Sequence, residues 1–593
     1  MASDSHTAPA GRARGLARLL SLVVPAALTA ACAATDRSFP LRAPVWRDPD
    51  LTPVTAPCHR APDKKDPAHV SCAPDVRDAT LIWDGLDNLL FRPASEALGV
   101  VTGGESIDVN SLDEVPDSSW FTNRIGVRPL GLEELDLGAC APSQVLDGTD
   151  AADGTWVVDK GKTGGSTSGF RVNVPGKGKY LFKADDLDTP EHSSAAQAIG
   201  GRVLYAAGYF TACEQVVLFR PSVLKLAPGL RSKHNFGGEQ DFDAKALDAI
   251  VEHLPRQGPF VRMVASAWLP GYNVGAFRFE GARDDDPNDV VPHEDRRELR
   301  GLRLLAAWLD RHDTRAGNTV DMWMAERGAP DGSPGHVVHN QIDTSEALGS
   351  TWDWEPISVR LGRSYVVDWG DLAGDFVSLG ARRRAWETVR RTPGQEFFAY
   401  YNVEDFDPEA WKNEYPVASF SRMTERDGAW MARILARFTP ELVGGLALSG
   451  RLTDPRRTAY LRSVLDGRLE RILGRYLTRL SPIADVRVEA PSRVCGVDLA
   501  EWRGLRAPDR FRYAARIVPG GQWLPVERRA GGQVCAVLPH VVADGRATPD
   551  DSPERYVRVR VDDGVASGAL LVHLYDLGPV RGYVLAGLER PEP

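Results

Sequence analysis

The chain has 593 residues, 43% of them hydrophobic and 26% charged, a composition that is typical of globular proteins. This length predicts roughly two to four domains, and the internal apolar runs fall short of the ~20 residues that a membrane-spanning helix requires. The formal net charge of −10 argues against a general nucleic-acid-binding protein, because phosphate backbones select basic surfaces.

Residues 1–32 have the pattern of an export signal. Three arginines precede the apolar run 19–31, and Cys32 follows two alanines. A basic start, a short apolar core and small residues before a cleavage site are typical of a secretory signal peptide. The cysteine after these residues resembles a bacterial lipoprotein box. This resemblance implies a lipid on Cys32 that anchors the protein to a membrane of the cell envelope, and Ala33 after it favours the outer membrane. Secretion without a lipid and a buried N-terminal helix are the alternatives.

The other cysteines support export. Apart from the candidate lipidation site there are six, and an even number in an exported chain predicts disulfides. Closeness in the sequence favours one pairing among about 15 that six cysteines allow. Its pairs are Cys58–Cys72, Cys495–Cys535 and Cys140–Cys213. The absence of a Cys-x-x-Cys pair argues against a structural zinc site.

Changes in composition along the chain predict its domains. Residues 33–75 are rich in Pro, Asp and Ala and predict a tether, and residues 76–150 predict an N-terminal extension. Next come an α/β lobe at 151–270, a mainly helical lobe at 271–484 and a small antiparallel β module at 485–593. Within the extension, residues 113–123 surround two aromatic side chains with polar groups, which predicts packing on the next domain, with a ligand site as the alternative.

The predicted elements indicate an α+β protein. Small residues that end at Gly208 predict a helix over 193–207, and the leucines from Leu299 to Leu309 lie on one helical face. Apolar runs and period-two alternation predict strands on either side of this helical lobe. These strands are Thr155–Lys160, Gly169–Val174, Lys179–Lys183, Gln215–Phe219, Val261–Trp268, Tyr556–Val561, Ala569–Tyr575 and Gly582–Leu588.

Candidate phosphate-binding residues lie in the α/β lobe. Gly164, Gly165, Ser166 and Gly169 form a glycine-rich segment, and glycines let backbone N–H groups approach phosphate oxygens closely. A flexible hairpin tip is the alternative. Lys183 ends a later strand, where an ammonium group can reach the α- and β-phosphates of a nucleotide. A strand-end lysine that faces solvent is the alternative.

Candidate catalytic and metal-binding residues follow the leucine-rich helix. Asp313 and Asn318 are five positions apart with Arg315 between them, and Asp343 comes after a short apolar stretch. The Asp313 carboxylate can accept the proton of an attacking hydroxyl, and Arg315 can offset charge on a phosphoryl group. Asn318 and Asp343 offer the oxygen ligands that Mg²⁺ prefers.

The order of these pieces resembles that of protein-kinase-like phosphotransferases: a glycine-rich loop, a strand lysine, Asp-x-x-x-x-Asn and a second Asp. It is most similar to the atypical branches, such as HipA-like and phosphoinositide-kinase-like enzymes. The resemblance covers about residues 155–480. It implies a bilobed fold with a hinge near 269–271, a cleft that binds Mg²⁺ and ATP, and transfer of the γ-phosphoryl group to a hydroxyl-bearing substrate or envelope partner.

One position departs from the family pattern. Kinase-like folds pair the strand lysine with a helix glutamate, but the helix over 193–207 offers Gln197 at the inward position. A glutamine does not neutralise Lys183, and Glu191 is the acidic residue that precedes the helix. The departure keeps a second interpretation open, a catalytically inactive scaffold or binding lipoprotein.

A third interpretation is a metallohydrolase. It takes four residues of the same region as ligands, since imidazole and carboxylate groups suit zinc or iron. These residues are His312, His336, His339 and Asp343.

Overall fold

The structure is a computed structural model that describes most of the chain. The described residues are 37–55, 59–60, 70–72, 74–77, 81–99, 104–162, 167–233, 239–325, 332–349, 355–490, 492–541 and 548–593. Residues 37–40 belong to a separate unit of the chain, and every element below belongs to the unit Leu41–Pro593. Within the described ranges, no helix is both long enough and apolar enough to cross a membrane.

The described residues contain strands in both halves of the chain. They are β1 His59–Arg60, β2 Val70–Ser71, β3 Trp156–Gly161, β4 Gly169–Val174, β5 Gly178–Lys183, β6 Phe210–Thr211, β7 Glu214–Phe219, β8 Leu224–Leu226, β9 Arg231–Lys233, β10 Glu239–Asp241, β11 Arg256–Gln257, β12 Phe260–Ala267, β13 Tyr272–Asn273, β14 Thr319–Ala325, β15 Gly335–Gln341, β16 Ile483–Glu489, β17 Arg493–Asp498, β18 Ala514–Val518, β19 Trp523–Leu524, β20 Val526–Arg528, β21 Gln533–Val537, β22 Tyr556–Asp562, β23 Leu570–Asp576 and β24 Tyr583–Glu589.

Most of the helices lie between β13 and β16. In chain order they are α1 Leu81–Leu86, α2 Arg92–Leu98, α3 Leu132–Leu137, α4 His192–Ala207, α5 Ala244–Glu252, α6 Arg297–Leu309, α7 Glu355–Ser358, α8 Trp369–Ser378, α9 Ala418–Ser421, α10 Glu425–Leu435, α11 Pro440–Ser449, α12 Pro455–Tyr476 and α13 Leu499–Trp502, with a π-helical turn, Asp87–Phe91, between α1 and α2. Helices together with mostly antiparallel sheets confirm the predicted α+β class.

The largest sheet has seven strands. Its order is β11-β12-β5-β4-β3-β8, and β7 also pairs with β12. All of these pairs are antiparallel except β3 with β8. Lys183, at the end of β5, therefore lies between Gly169 of β4 and Val264 of β12. The five strands predicted in this region begin and end within one residue of the observed ones, because their apolar positions form the buried face.

Helix α4 is buried on nearly all sides, and its small residues make this possible. A Cβ on Gly200 would lie 2.3 Å from Thr344 Oγ1, and one on Gly201 would lie 2.9 Å from the Glu214 side chain. The helix stops at Gly208, whose φ of +125° is one that L side chains rarely adopt. A Cβ there would also meet the Phe121 ring at 2.3 Å. The sequence predicted this helix and its stop.

A second sheet, of order β13-β14-β15-β6, interrupts the helical region. Strands β14 and β15 form an antiparallel pair that brings Thr319 opposite Gln341. The sequence did not predict either strand. Both are largely buried on both faces and carry polar groups such as Asp321 and His339, so the alternation that marks a half-buried strand is missing.

Helix α6 is the centre of the helical region. The leucines predicted to share one face are buried against α10 and α12, and Trp308 Nε1 donates a hydrogen bond to the Leu465 carbonyl at 2.8 Å. The helix ends at Asp310, which has a left-handed backbone with φ of +54°. This ending turns the chain directly into the loop that contains Asp313.

The stretch 113–123 packs on the body of the protein, as the sequence predicted. Trp120 is buried and stacks on His339 with ring centroids 3.5 Å apart. Asp113 forms ion pairs with Arg297 of α6 at 2.6 Å and with Arg590 after the last strand at 2.7 Å. Burial opposes ionisation of Asp113, but its arginine neighbours outweigh burial and hold its pKa well below the usual range. This carboxylate joins three distant parts of the chain.

Two sheets at the C-terminal end share one apolar core. Their orders are β16-β17-β21-β20 and β19-β18-β22-β23-β24, and all of their strand pairs are antiparallel. Side chains of both sheets, for example Val494 of β17 and Val559 of β22, meet between them. The three strands predicted here are observed with shifts of one residue at their ends.

The described residues contain two of the three predicted disulfides, Cys140–Cys213 and Cys495–Cys535. The second joins residues that face each other across β17 and β21. Cys72 is also disulfide-bonded, and its predicted partner, Cys58, lies outside the described residues, as does Cys32. Disulfides persist in oxidising surroundings, so the protein belongs to a compartment outside the cytoplasm.

Candidate functional site

A cleft of about 200 Å³ lies where the seven-stranded sheet, helix α4 and the β14–β15 pair meet. Its walls are mainly apolar, and polar groups converge at one end. The apolar lining is Leu181, Ala212, Ala267, Trp268, Leu269, Val320, Met322 and Ile342, and the polar lining is Lys183, Gln197, Glu214, Ser266, Asn273 and Asp343. Apolar walls with a few convergent polar groups are typical of a small-molecule site.

Lys183 and Asp343 form an ion pair in this cleft. Lys183 Nζ lies 2.9 Å from Asp343 Oδ2, and Ser345 Oγ donates to Asp343 Oδ1 at 2.6 Å. Burial opposes ionisation of Asp343, but Lys183 outweighs it and holds the pKa of the carboxyl well below its usual range. The backbone of Asp343 is left-handed, with φ of +54°. The structure thus joins two site residues that are 160 positions apart in the sequence.

Behind Lys183 runs a chain of hydrogen bonds that the sequence did not reveal. Lys183 Nζ donates to Gln197 Oε1 at 3.2 Å, and Gln197 Nε2 donates to Ser266 Oγ at 3.0 Å. Ser266 in turn donates to Glu214 Oε2 at 2.5 Å. Gln197 and Ser266 therefore connect the lysine to the Glu214 carboxylate. Glu191 instead accepts hydrogen bonds from Thr453 N and Oγ1, both at 3.0 Å.

Glu214 is the functional candidate that sequence reasoning missed. It is buried, and burial raises its pKa from 4.5 to about 7, against the opposing effect of Lys183. An acidic residue at the start of the apolar strand β7 was the only sequence signal for it. Its position at the cleft makes it a group that can change charge near neutral pH.

We expect Glu214 to make stability depend on pH. Its pKa is raised on folding, so its stabilising contribution is complete below pH 4.5 and is lost as the pH rises through about 7. Glu214→Gln removes this dependence. Between pH 4.5 and 8, the variant should therefore gain about 3 kcal/mol in free energy of unfolding relative to the wild type. Urea unfolding at several pH values measures this difference. Glu252→Gln, at an exposed helix end, is the control and should show no such trend. Parallel curves for wild type and Glu214→Gln would contradict the assignment.

The loop after α6 positions the other candidate residues. Arg315 Nε donates to Asp313 Oδ1 at 2.7 Å, and Arg315 Nη1 donates to Asp84 of α1 at 2.5 Å. Asn318 Nδ2 donates to the Asp313 carbonyl at 2.7 Å. Burial opposes the charge of Arg315, but Asp313 and Asp84 outweigh it and raise the pKa of the guanidinium. Asp84 is a partner that sequence reasoning missed.

Arg311 ties this loop to the segment that carries Asp343. Its buried guanidinium donates to the Ile342 carbonyl at 2.7 Å and to Gln341 Oε1 at 3.1 Å. The Ile342 N–H donates to the Asn318 carbonyl at 3.0 Å. Asp313, Asn318 and Asp343 are thereby held on adjacent backbone segments. Burial lowers the pKa of Arg311 to about 10, which leaves it charged at neutral pH.

The glycine-rich segment is described only at its end. Gly164, Gly165 and Ser166 lie outside the described residues, whereas Gly169 begins β4 opposite Lys183. A Cβ on Gly169 would lie 2.3 Å from the Phe182 carbonyl oxygen, so only glycine allows this close approach.

Lys162, just before that segment, is a second cation near the cleft that the sequence did not single out. Its Nζ donates to the Thr167 carbonyl and hydroxyl, both at 2.6 Å. Burial, and then the charge of Lys183, lower its pKa to about 8. Lys162 and Lys183 bring two amino groups close to the single carboxylate of Asp343, and this excess of positive charge favours an anionic ligand.

The histidines of the metallohydrolase interpretation are not assembled into one site. His339 pairs with Asp321 at 2.6 Å, and His336 joins no metal-ligand group among the described residues. His312 instead lies with Glu346 and Glu414, one potential ligand atom from each falling within 4.8 Å of the others. The described part of the chain therefore gives no support to the predicted four-ligand set.

Comparison of the chain with protein-family models, with curated proteins and with solved structures finds no match.

Proposed function

We propose that this chain is an exported, atypical kinase-like protein that binds Mg-ATP and transfers the γ-phosphoryl group to a hydroxyl. The observation that carries the proposal is the ion pair in the cleft between buried Lys183 and partly exposed Asp343, 2.9 Å long. Asp313 and Asn318 lie on the adjoining segment. In kinase-like phosphotransferases, a lysine of the sheet contacts the nucleotide phosphates and an aspartate holds the metal. Lys183 and Asp343 offer these two groups.

The arrangement of the elements supports a bilobed fold. The seven-stranded sheet with α4 lies before the cleft in the sequence, and α6, β14, β15 and the later helices follow it. The segment from Trp268 to Leu269 lines the cleft and leads from β12 toward the helical part. In this proposal the two parts are the kinase-like lobes, and the adenine base binds against the apolar lining.

Asp343 of the cleft and Asn318 of the neighbouring loop offer ligands that fit a magnesium ion. Asn318 uses its amide N–H to hold the Asp313 carbonyl, so its amide oxygen remains to act as a ligand beside the Asp343 carboxylate. Oxygen ligands are those that Mg²⁺ selects. When bound, Mg²⁺ supplies positive charge that neutralises phosphate oxygens. Lys183 and Lys162 would bind the phosphates as point charges.

Asp313 acts as the base in the transfer step. Its carboxylate accepts the proton of the substrate hydroxyl as that oxygen forms a bond to the γ-phosphorus and the bond to the leaving ADP breaks. Arg315, which lies 2.7 Å from Asp313, holds the carboxylate in place and adds positive charge beside the transferred group. The predicted lipid on Cys32 would place this reaction at a membrane of the cell envelope.

We expect Mg-ATP to stabilise the protein against heat. Ligand at about 100 times its dissociation constant raises the free energy of unfolding by ~2.7 kcal/mol. Asp343→Asn should abolish this gain, because it removes the charge that binds both Lys183 and the metal. Thermal unfolding of the purified chain, disulfides intact, with Mg-ATP or with ATP and a chelator, measures the effect.

The exposed Asp509 provides a matched control, since Asp509→Asn should keep the full gain. A wild-type chain that shows no shift at millimolar Mg-ATP would overturn the nucleotide proposal. A near-ultraviolet circular dichroism spectrum of Asp343→Asn that matches the wild type excludes loss of folding as the cause.

The second candidate function is a kinase-like scaffold without activity. Two observations favour it: Gln197 replaces the acidic partner of Lys183, and Asp84 engages Arg315. In addition, large apolar side chains are exposed on α1, the π-helical turn, α2 and α8. These are Trp83, Leu86, Leu89, Leu90, Phe91, Leu98, Trp369, Leu372, Phe376 and Val377. Mg-ATP binding without any release of phosphate would favour the scaffold.

A further inference from the structure

Three separate segments bring a histidine and two glutamates together at the loop that carries Asp313. His312 lies in the loop after α6, Glu346 follows Asp343 by three positions, and Glu414 lies in the segment before α9. The Glu414 N–H donates to the His312 carbonyl at 2.8 Å, which fixes two of these segments together. One potential ligand atom from each side chain lies within 4.8 Å of the other two.

The His312 ring is the unusual member of this group. It is 1% exposed, and neither ring nitrogen has a hydrogen-bond partner among the described residues. The nearest carboxylate oxygen, Glu414 Oε2, is 3.8 Å from Nδ1, too far for a hydrogen bond. Buried polar groups are nearly always hydrogen-bonded, so an imidazole in this state indicates a missing partner.

We propose that His312, Glu346 and Glu414 bind a divalent transition-metal ion of the zinc or manganese class. Imidazole and carboxylate ligands bind zinc at about 2.0–2.2 Å, so two ligand atoms 3.8 Å apart can share one ion. The more widely spaced atoms approach it through small side-chain rotations. An imidazole ligand favours a transition metal, whereas the oxygen-only pair Asn318 and Asp343 favours magnesium.

The ion would link the loop that carries Asp313 to the segment that carries Asp343. His312 directly precedes Asp313, and Glu346 lies three residues after Asp343. Three protein ligands from three segments would fix the spacing between the base and the magnesium ligand. This site goes beyond the proposed phosphoryl transfer, and the ion takes no part in that step.

The competing explanation is an ion pair. In it a protonated His312 faces an ionised Glu414, and Glu346 remains protonated with no ion present. The two explanations differ in what they predict for metal binding, because in the ion pair a proton occupies the His312 nitrogen that would hold the metal.

The test is calorimetric titration of the purified chain with ZnCl₂ and with MnCl₂, together with metal analysis after dialysis. We expect one bound equivalent per chain of at least one of these ions. Glu414→Gln and His312→Ala should each weaken binding at least tenfold. Glu409→Gln is the matched control, since Glu409 is an exposed residue of the same segment that pairs with Arg475, and it should bind as the wild type does.

Three results would overturn the proposal: no binding above background in the wild type, binding that survives both Glu414→Gln and His312→Ala, or binding that only Asp343→Asn abolishes. The last result would assign the ion to the nucleotide site. If His312→Ala does not fold, Glu346→Gln replaces it, with near-ultraviolet circular dichroism as the check. Failure of the Mg-ATP shift with retained zinc or manganese binding would overturn only the proposed function.

Discussion

Asp313→Asn is expected to lower the rate of phosphate release from Mg-ATP by roughly 10²–10⁴-fold, the range typical of losing a general base. The amide has nearly the shape of the carboxylate, and Asn318 holds residue 313 through its backbone carbonyl, which the substitution leaves unchanged. Mg-ATP binding should therefore persist. Asp313→Asn therefore tests the role of the base alone, whereas Asp343→Asn tests nucleotide binding.

The measurement is phosphate release with water as the acceptor, followed for the wild type, Asp313→Asn and the exposed-site control Asp509→Asn. A thermal shift with Mg-ATP is recorded for each protein in parallel. A wild type that binds Mg-ATP yet releases no phosphate would favour the scaffold. Equal rates in wild type and Asp313→Asn would remove Asp313 from the role of base.

Asp427→Ala is expected to lower the free energy of unfolding by about 3–5 kcal/mol, because it leaves two buried guanidinium groups without their shared carboxylate. Arg297 Nε and Arg300 Nη1 of α6 each lie 3.2 Å from an Asp427 oxygen, and all three side chains are buried. Ser106 Oγ also donates to Asp427 at 2.8 Å. One carboxylate thus joins α10 to α6 and to the N-terminal extension.

Denaturant unfolding with the disulfides intact measures this loss. Asp466→Ala is the control, because Asp466 forms a partly exposed ion pair with Arg462 one helical turn away at 3.7 Å. Such pairs contribute about 0.3–0.5 kcal/mol. A loss below about 1 kcal/mol for Asp427→Ala would mean that Asp113 and Asp295, which also pair with Arg297 and Arg300, compensate the two arginines without Asp427.

The local spacing of apolar residues was sufficient to predict several strands and helix α4. Five of the seven strands of the largest sheet, and helix α4, were predicted to within one residue, because each has a regular pattern of apolar residues. The two short strands β8 and β11 were not predicted. The long buried strands β14 and β15 were missed, because a strand buried on both faces has no alternation to detect.

The candidate site also contains residues that the sequence predicted and a residue that it did not. Asp313, Arg315 and Asn318 were predicted from their close spacing in one loop, and Asp343 from its place after a short apolar stretch. Glu214 was missed because its relation to Lys183 passes through two other side chains from two other elements.

The amino-acid sequence by itself favoured the two disulfide pairs that the described residues contain. It also predicted the α+β class, the bounds of eight strands and of helix α4, and the group of acidic and amide side chains after α6. The element bounds and the group after α6 depend on residues close together in the chain or on side-chain chemistry alone. Only the tertiary structure decided the Lys183–Asp343 ion pair, the position of Asp84 on Arg315 and the meeting of His312 with Glu346 and Glu414. Those contacts join residues tens to hundreds of positions apart, and strand register and helix packing, which no local pattern encodes, bring them together.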